Sequence, residues 1–136
     1  MPALHLPGDE PFFREWKTYH GPYARSRSRA KLFARELALD TSPTIPVIGV
    51  VGSKGKGSAV AATTQYLMSL GYRVGTISSP PFLTNRERIR LNARPLSARD
   101  YDALADRVAA ALAAMPPVAD TGGYLAPTGM FTLAGA

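Results

Sequence analysis

Closely spaced glycines, lysines and serines between residues 52 and 58 form the sequence G-S-K-G-K-G-S. Small residues let backbone N–H groups converge on an anion, a lysine adds a mobile positive charge, and a serine hydroxyl can reach a metal ion. The combination predicts binding of the phosphates of a nucleotide. Seven residues make up this phosphate loop: Gly52, Ser53, Lys54, Gly55, Lys56, Gly57 and Ser58.

A phosphate loop needs regular elements on both sides to aim it. Residues 45–51 are apolar, largely β-branched and uncharged, which predicts a buried strand. A helix from about residue 58 to 70, closed by Gly71, is apolar on most sides and is also expected to be buried. A second strand is predicted at residues 72–78. This β-loop-α-β unit predicts a parallel sheet, with the loop and Ser79 at the carboxyl ends of the strands.

Helices are predicted on both sides of this unit. Residues 9–11 begin the first helix, and a second helix at residues 23–39 carries basic residues, among them Arg29, on a face expected to be solvated. A loop at residues 40–44 follows. Beyond the unit, Ser97 opens a further helix with a capping box.

Residues 79–95 form a long charged loop, which is uncommon inside a compact domain and often functional. Ile89 and Leu91 alternate with polar residues, so the loop can contain a short hairpin strand. Its single carboxylate, Glu87, lies between two arginines and could be an ion-pair partner or a catalytic group.

Composition excludes several classes of protein. The 136 residues include no cysteine, which rules out disulfides and thiolate metal sites. No apolar stretch approaches the roughly 18 residues of a membrane helix, and no secretory signal is visible. We therefore expect a soluble, cytoplasmic protein without a membrane partner. The net charge of +6 suits an anionic partner or a solvated basic surface, and nucleic acid is disfavoured because no aromatic residues are interleaved with the basic ones.

The loop departs from the two general nucleotide-binding patterns. With Lys56 as the invariant lysine of G-x-x-x-x-G-K-[ST], Val50 replaces the first glycine and Gly57 replaces the serine or threonine. Val60 replaces the third glycine of the dinucleotide pattern, and no acidic residue near the second strand could hold a ribose. A tight connection with solvated lysines is the remaining alternative.

The loop does match a more specific pattern. It resembles the G-T-N-G-K-G-S loop of folylpolyglutamate synthases and dihydrofolate synthases, which belong to the Mur ligase superfamily. The resemblance extends over roughly residues 30–112. It includes L-G-Y-R-V-G at 70–75, S-S-P-P-F-L at 78–83, E-R-I-R-L-N at 87–92 and P-L-S at 95–97.

This resemblance implies an α/β fold with a mostly parallel sheet and helices on both faces, as in the P-loop NTPase-like central domain of a Mur ligase. It also implies ATP and Mg²⁺ as cofactors. Lys56 would be the catalytic cation at the β- and γ-phosphates, and Ser58 and Ser79 would be Mg²⁺ ligands. Three residues are implied to bind the acid substrate: Pro80, Phe82 and Arg88.

The implied reaction joins a folate- or pteroate-type carboxylate to glutamate through an acyl phosphate, with ATP, glutamate and the acid as small-molecule partners. We expect residues 1–136 to form the N-terminal portion of one ATP-binding domain, with a helical segment at 1–44 and the β-loop-α-β core, loop and helix at 45–136. The last seven residues resemble the start of a helix, so we expect a longer polypeptide and no activity from the 136 residues alone. The sequence does not indicate an oligomeric state.

Several positions depart from the family pattern. Pro81 replaces a histidine, Arg86 and Lys54 each replace an asparagine, and Gly129 stands where the family has a glutamate that binds Mg²⁺. These departures favour an alternative function, that of a catalytically impaired, nucleotide-binding paralogue that acts as a binding or partner subunit.

Overall fold

The computed structural model describes residues 4–39 and 45–136. The loop predicted at residues 40–44 lies outside the described residues. The described residues contain five α-helices: α1 (Glu10–Tyr19), α2 (Arg27–Glu36), α3 (Lys56–Ser69), α4 (Ala98–Ala114) and α5 (Pro127–Ala134). Three strands are found as well: β1 (Gly75–Ile77), β2 (Ile89–Leu91) and β3 (Arg94–Pro95). Short 3-10 helices cover Pro7–Asp9, Asn85–Arg88 and Val118–Thr121.

The hydrophobic core lies between α1, α2, α4 and α5. Phe12 of α1 stacks on Phe131 of α5 with 4.1 Å between ring centroids, and on Tyr101 of α4 at 5.7 Å. Phe33 and Val108 complete its centre and are fully buried. Burying each such side chain stabilises the fold by about 1.5–3 kcal/mol, so the helices rather than the sheet hold the molecule together.

Local signals place most helix ends where the sequence predicts them. Pro11 lies in the first turn of α1, where its missing N–H costs no hydrogen bond. The Ser97 hydroxyl accepts a hydrogen bond from the Asp100 N–H at 3.1 Å and begins α4. The second helix is shorter than predicted because Ser26 caps it, so that α2 begins at Arg27. These short-range predictions are confirmed, apart from the length of α2.

The expectation of a mostly parallel sheet is wrong for the described residues. β1 pairs with β2 in antiparallel register, with Ile77 opposite Ile89, and β2 pairs antiparallel with β3. The chain reverses between β2 and β3 through Asn92 and Ala93, both with positive φ (47° and 62°). Such a two-residue turn joins only antiparallel strands. The short hairpin strand predicted inside the 79–95 loop is confirmed.

The buried strand predicted at residues 45–51 is also wrong. The segment is not assigned as a strand, and Val47 and Val51 are 83% and 92% exposed. A strand gains its stability from cross-strand pairs. Within the described ranges no strand lies beside this segment, so its apolar side chains have no surface to pack against.

Helix α3 is far more exposed than its composition predicts. Thr64 is its single buried residue within the described structure, and Tyr66 and Leu70 are largely exposed. The Thr64 hydroxyl lies 3.3 Å from the Thr76 hydroxyl of β1, and this contact ties the helix to the sheet. No helix in the part of the chain described has both the length and the apolarity to cross a membrane.

Arg29, predicted on a solvated face, is instead 4% exposed. Its Nε donates to both Glu15 carboxylate oxygens at 2.8 and 2.9 Å, and its Nη1 donates to the Pro116 carbonyl at 2.7 Å and to Thr121 Oγ1 at 3.0 Å. The Glu15 carboxylate also accepts the Leu125 N–H at 2.8 Å. A buried charge is tolerated when it is paired and hydrogen-bonded in this way, and the network joins α1, α2 and the chain that leads into α5.

Candidate functional site

The phosphate loop contains two glycines in the left-handed region of backbone conformation. Gly52 has a φ of 150° and Gly55 a φ of 76°. Gly55 is the N-cap of α3, and its carbonyl accepts the first helical hydrogen bond from the Ala59 N–H at 2.9 Å. Because L-residues with a side chain rarely adopt such φ values, glycine at these two positions permits the sharp entry into α3.

The first turn of α3 presents unpaired backbone donors. Among residues 4–39 and 45–136, no acceptor pairs with the N–H groups of Lys56, Gly57 or Ser58, and no side chain caps the helix. These groups carry the positive end of the helix dipole. Gly57 and Ser58 are exposed, so an anion can reach them from solvent.

Lys56 is folded back over its own loop. Its ammonium group donates to the Gly52 carbonyl at 2.6 Å and approaches the Ser53 carbonyl at 3.4 Å. For an ammonium donor, a phosphate oxygen is a stronger acceptor than a carbonyl oxygen, because the phosphate carries a negative charge. Lys56 can therefore exchange these carbonyls for a polyphosphate without rebuilding the loop.

A second candidate site is a cleft of about 100 Å³ between the sheet and α5. Its polar lining consists of hydroxyl groups and one guanidinium, and its apolar lining includes an aromatic ring. We call it the Arg88 cleft; its lining residues are Ile77, Ser78, Ser79, Arg88, Thr128, Phe131 and Thr132.

Arg88 is held in one orientation on three sides. Its Nε donates to Asn85 Oδ1 at 2.8 Å, its Nη1 donates to Ser79 Oγ at 2.8 Å, and its Cζ lies 5.0 Å from the centroid of the Phe131 ring. Burial lowers the pKa of Arg88, while the charge of Asp9 acts in the opposite direction. Arginine titrates so far above neutral pH that it stays a cation there, so the cleft contains a fixed positive charge.

The phosphate loop and the Arg88 cleft lie at the same end of the α3–β1 pair. Thr64 and Thr76 are in contact, and the chain reverses between the helix and the strand. Ser58 precedes Thr64 by about 9 Å along the helix axis, and Ser79 follows the last residue of β1 by two positions. Both displacements point toward the same end, although no hydrogen bond connects Ser58 with Ser79 among the described residues.

The other predicted substrate-binding residues are separate from the Arg88 cleft. Pro80 and Phe82 are exposed, Phe82 by 83%, and neither lines the cleft. Of the three residues predicted to bind the acid, the structure places only Arg88 in the cleft.

Comparison with known proteins identifies the chain's relatives. It is 41% identical to the mitochondrial folylpolyglutamate synthase of Cricetulus griseus, over 54% of this chain and 14% of that protein. It is 42% identical to the dihydrofolate synthase/folylpolyglutamate synthase of Bacillus subtilis, over 43% of this chain and 14% of that protein. The chain is therefore similar to folylpolyglutamate synthases and dihydrofolate synthases over a small part of their length. No family model matches it.

Two solved structures share the fold of this chain. The crystal structure of the bifunctional folylpolyglutamate synthase/dihydrofolate synthase from Yersinia pestis CO92 aligns with 99% of this chain at a TM-score of 0.71 and 26% identity. The structure of E. coli FolC in complex with DHPP and ADP aligns with 99% of the chain at a TM-score of 0.69 and 24% identity. The chain covers 31% and 30% of those two proteins, so it corresponds to a part of each.

The residues present do not fit a Mg²⁺ ion held by the protein itself. No group of three or more histidine, cysteine or acidic side chains lies close enough together to hold a metal in the described part of the chain. Ser79 Oγ accepts from the Arg88 guanidinium, whose charge repels a divalent cation. Gly129 lies in α5, where an added Cβ would meet Leu125 Cδ1 at 3.5 Å, an ordinary contact. Space at the Cβ position therefore does not explain the missing glutamate, and we assign no step to Mg²⁺.

Glu87 is a capping residue, a role that the sequence did not indicate. Its carboxylate accepts the N–H groups of Phe82, Leu83 and Thr84 at 3.0, 3.1 and 3.2 Å, and lies 3.7 Å from Arg90 Nη2. Burial acts to raise the pKa of Glu87, but the three backbone donors and Arg90 outweigh it and lower the pKa. Glu87 therefore shapes the loop before the Arg88 cleft, as an acceptor and ion-pair partner.

Proposed function

We propose that this chain is the nucleotide-binding part of an ATP-dependent ligase that joins a folate- or pteroate-type carboxylate to glutamate. The observation that carries the proposal is the group of unpaired N–H donors on the first turn of α3, with Lys56 beside them. Similarity to part of the folylpolyglutamate synthases and dihydrofolate synthases supports the choice of substrates.

The phosphate loop binds the triphosphate of ATP. The N–H groups of Gly57 and Ser58 donate to phosphate oxygens, and Lys56 leaves the Gly52 carbonyl to contact the β- and γ-phosphates. Lys54 is exposed on the same loop and adds a second positive charge. Positive charge fixed at this place stabilises the transferred phosphoryl group.

The acid substrate lies with its carboxylate near Arg88 and with its aromatic part against exposed apolar surface such as Phe82. A carboxylate oxygen attacks the γ-phosphorus, and ADP leaves. The amine of glutamate then attacks the acyl carbon of the resulting acyl phosphate, an amide bond forms, and inorganic phosphate leaves. The common end of the α3–β1 pair brings the nucleotide and the acid within reach of each other.

A second candidate is a nucleotide-binding paralogue that does not form the amide. Gly129 at the position of the family's metal-binding glutamate favours it, as does the absence of a metal-ligating cluster among the residues described. Phosphoryl transfer in such a protein would lack the charge that a well-placed ion supplies. ATP binding is common to both candidates, and glutamate-dependent turnover separates them.

Isothermal titration of ATP into the Lys56→Ala variant tests the loop. An ionic hydrogen bond contributes about 1.5–3 kcal/mol, so we expect affinity to fall by about 10- to 150-fold. Lys31→Ala is the matched control, since it removes the same charge from α2, and its ATP affinity should stay within about twofold of wild type. Unaltered affinity in Lys56→Ala would refute the assignment of the loop.

Release of ADP that depends on both glutamate and dihydropteroate or folate, measured with the full-length protein, tests the reaction. Its appearance supports the ligase. ATP binding without such release supports the paralogue.

A further inference from the structure

Asp9 is a buried carboxylate outside the Arg88 cleft. It is 2% exposed, and among the described residues its two oxygens accept three hydrogen bonds, while His5 Nδ1 lies 3.4 Å from Oδ2. Tyr101 Oη donates to Oδ1 at 2.5 Å, while the Leu6 N–H at 2.8 Å and Asn85 Nδ2 at 2.9 Å donate to Oδ2. Burying an ionised carboxylate costs free energy even when it is hydrogen-bonded. The buried Asp9 carboxylate is therefore expected to have a specific role.

Asn85 connects this carboxylate to the cleft. Its side chain is also 2% exposed, and its amide has one donor end and one acceptor end. The donor end, Nδ2, is bonded to Asp9, and the acceptor end, Oδ1, accepts from Arg88 Nε at 2.8 Å. Because a carboxylate can only accept, it holds the amide in the one orientation that presents an oxygen to Arg88.

We propose that Asp9 is a positioning residue that acts through Asn85 to hold Arg88 ready for the carboxylate of the acid substrate. The inference rests on the proposed function in taking Arg88 as the group that meets this carboxylate. With Asn85, Ser79 and Phe131 on three sides, the guanidinium is ordered before the ligand arrives, which lowers the entropy lost on binding. Asp9 itself does not touch the substrate.

Changing Tyr101 can distinguish this positioning role of Asp9 from simple anchoring of the N-terminal segment. Tyr101 bonds the other oxygen of the same carboxylate and lies in α4, so it ties Asp9 to the core, and among the described residues it makes no hydrogen bond to Asn85. If Asp9 served only to anchor the N-terminal segment, loss of the Tyr101 hydroxyl and loss of the Asp9 charge would have the same kind of effect. If Asp9 orients Asn85, only loss of the Asp9 charge should alter the orientation of Arg88.

The Nε–H resonance of Arg88 in a ¹H–¹⁵N spectrum reports on this orientation without any ligand. In the wild type we expect a signal protected from exchange with water, assigned by its loss in Arg88→Lys. Asp9→Asn can offer its own amide donor to Asn85, which allows the Asn85 amide to turn over, so the protection should fall at least tenfold. Tyr101→Phe should keep the protected signal while lowering the melting temperature.

Asn85→Ala provides a second route, since it removes the connection and leaves Asp9 in place; it too should lose the protected signal. A protected Arg88 signal in folded Asp9→Asn or Asn85→Ala would overturn the proposal, and so would its loss in Tyr101→Phe.

Titration of 7,8-dihydropteroate with the same variants tests the consequence for binding. We expect Asp9→Asn to weaken binding by about tenfold and Tyr101→Phe to stay within about twofold of wild type. Unchanged affinity in Asp9→Asn, when Arg88→Lys weakens binding, would overturn the role of Asp9. Unchanged affinity in Arg88→Lys, or no binding by the wild type, would count against the proposed function, while the resonance still decides whether Asp9 orients Arg88.

Discussion

Replacing Arg29 with methionine should leave the buried Glu15 carboxylate without its counter-charge. Both residues are 4% exposed, and Arg29 supplies two of the three groups that donate to Glu15 among the described residues, through its Nε and Nη2. The Leu125 N–H would remain as the single donor within that part of the chain. Methionine keeps the apolar stem of the arginine, so the change isolates the charge and its hydrogen bonds.

The expected loss follows from this burial. Removing one partner of a buried ion pair costs about 3–5 kcal/mol, whereas an exposed pair contributes about 0–1 kcal/mol. Pro116 is exposed, so water can replace the donor that its carbonyl loses, and we take a loss of about 4 kcal/mol. For a chain of this size the melting temperature should fall by about 12–16 °C.

Urea denaturation followed by circular dichroism measures the loss, with Glu15→Gln and the double variant completing a thermodynamic cycle. The amide oxygen introduced by Glu15→Gln can still accept the Leu125 N–H, and the double variant contains no buried charge at either position. We expect it to lose about 2–3 kcal/mol less than the sum of the single variants. A loss below about 1 kcal/mol in Arg29→Met would contradict the burial of the pair, and additive losses would contradict the coupling.

Three further changes test local features by the same denaturation assay. Glu87→Gln should destabilise the protein at pH 7. Because the folded-state pKa of Glu87 is lowered, the wild type's advantage should be lost as pH falls from the unfolded value of about 4.3 through the folded pKa, and an advantage that does not decline as pH falls would contradict the capping role. Gly123→Ala should lower the free energy of unfolding by about 3 kcal/mol or more, since φ is +140° and the new Cβ would overlap the Ala24 carbonyl oxygen. Gly122→Ala, with φ of +70° and open space around it, should lower it by about 1 kcal/mol. Equal losses in the two variants would refute the steric argument. Ser97→Ala should cost about 1 kcal/mol through loss of the α4 cap, and no loss would show that the cap does not matter.

The features that the sequence predicted correctly depend on neighbours within a few residues. Pro11 and Ser97 act on the first turns of their own helices, and the hairpin at residues 89–95 depends on a two-residue turn. The position of residues 52–58 before a helix is local in the same way, whereas phosphate binding by this loop stays a prediction.

The predictions that failed depend on what lies across from a residue in space. An apolar, β-branched run at 45–51 has the composition of a buried strand, yet composition cannot supply the neighbouring strand that burial requires. The basic face of α2 illustrates the same limit. Unlike a solvated basic residue, Arg29 faces Glu15, which belongs to another helix.

The sequence could indicate individual residues of the candidate site, but it could not indicate the contacts between them. Arg88 was predicted as a substrate-binding residue from its motif. The sequence could not show that Asn85, Ser79 and Phe131 hold it, because the ring lies far along the chain, in α5. Asp9 looked like no more than the start of a helix, and only folding brings it to Asn85.

Residues 45–51 have a consequence for these 136 residues, taken by themselves, at high concentration. The segment is uncharged and rich in β-branched side chains, and its backbone is not paired in a sheet within the structure described here. Such exposed stretches are templates for intermolecular cross-β stacking and aggregation. Pro46 offers no N–H to a neighbouring copy and Gly49 no side chain to a steric zipper, so these two residues act as gatekeepers in the stretch that leads into the phosphate loop.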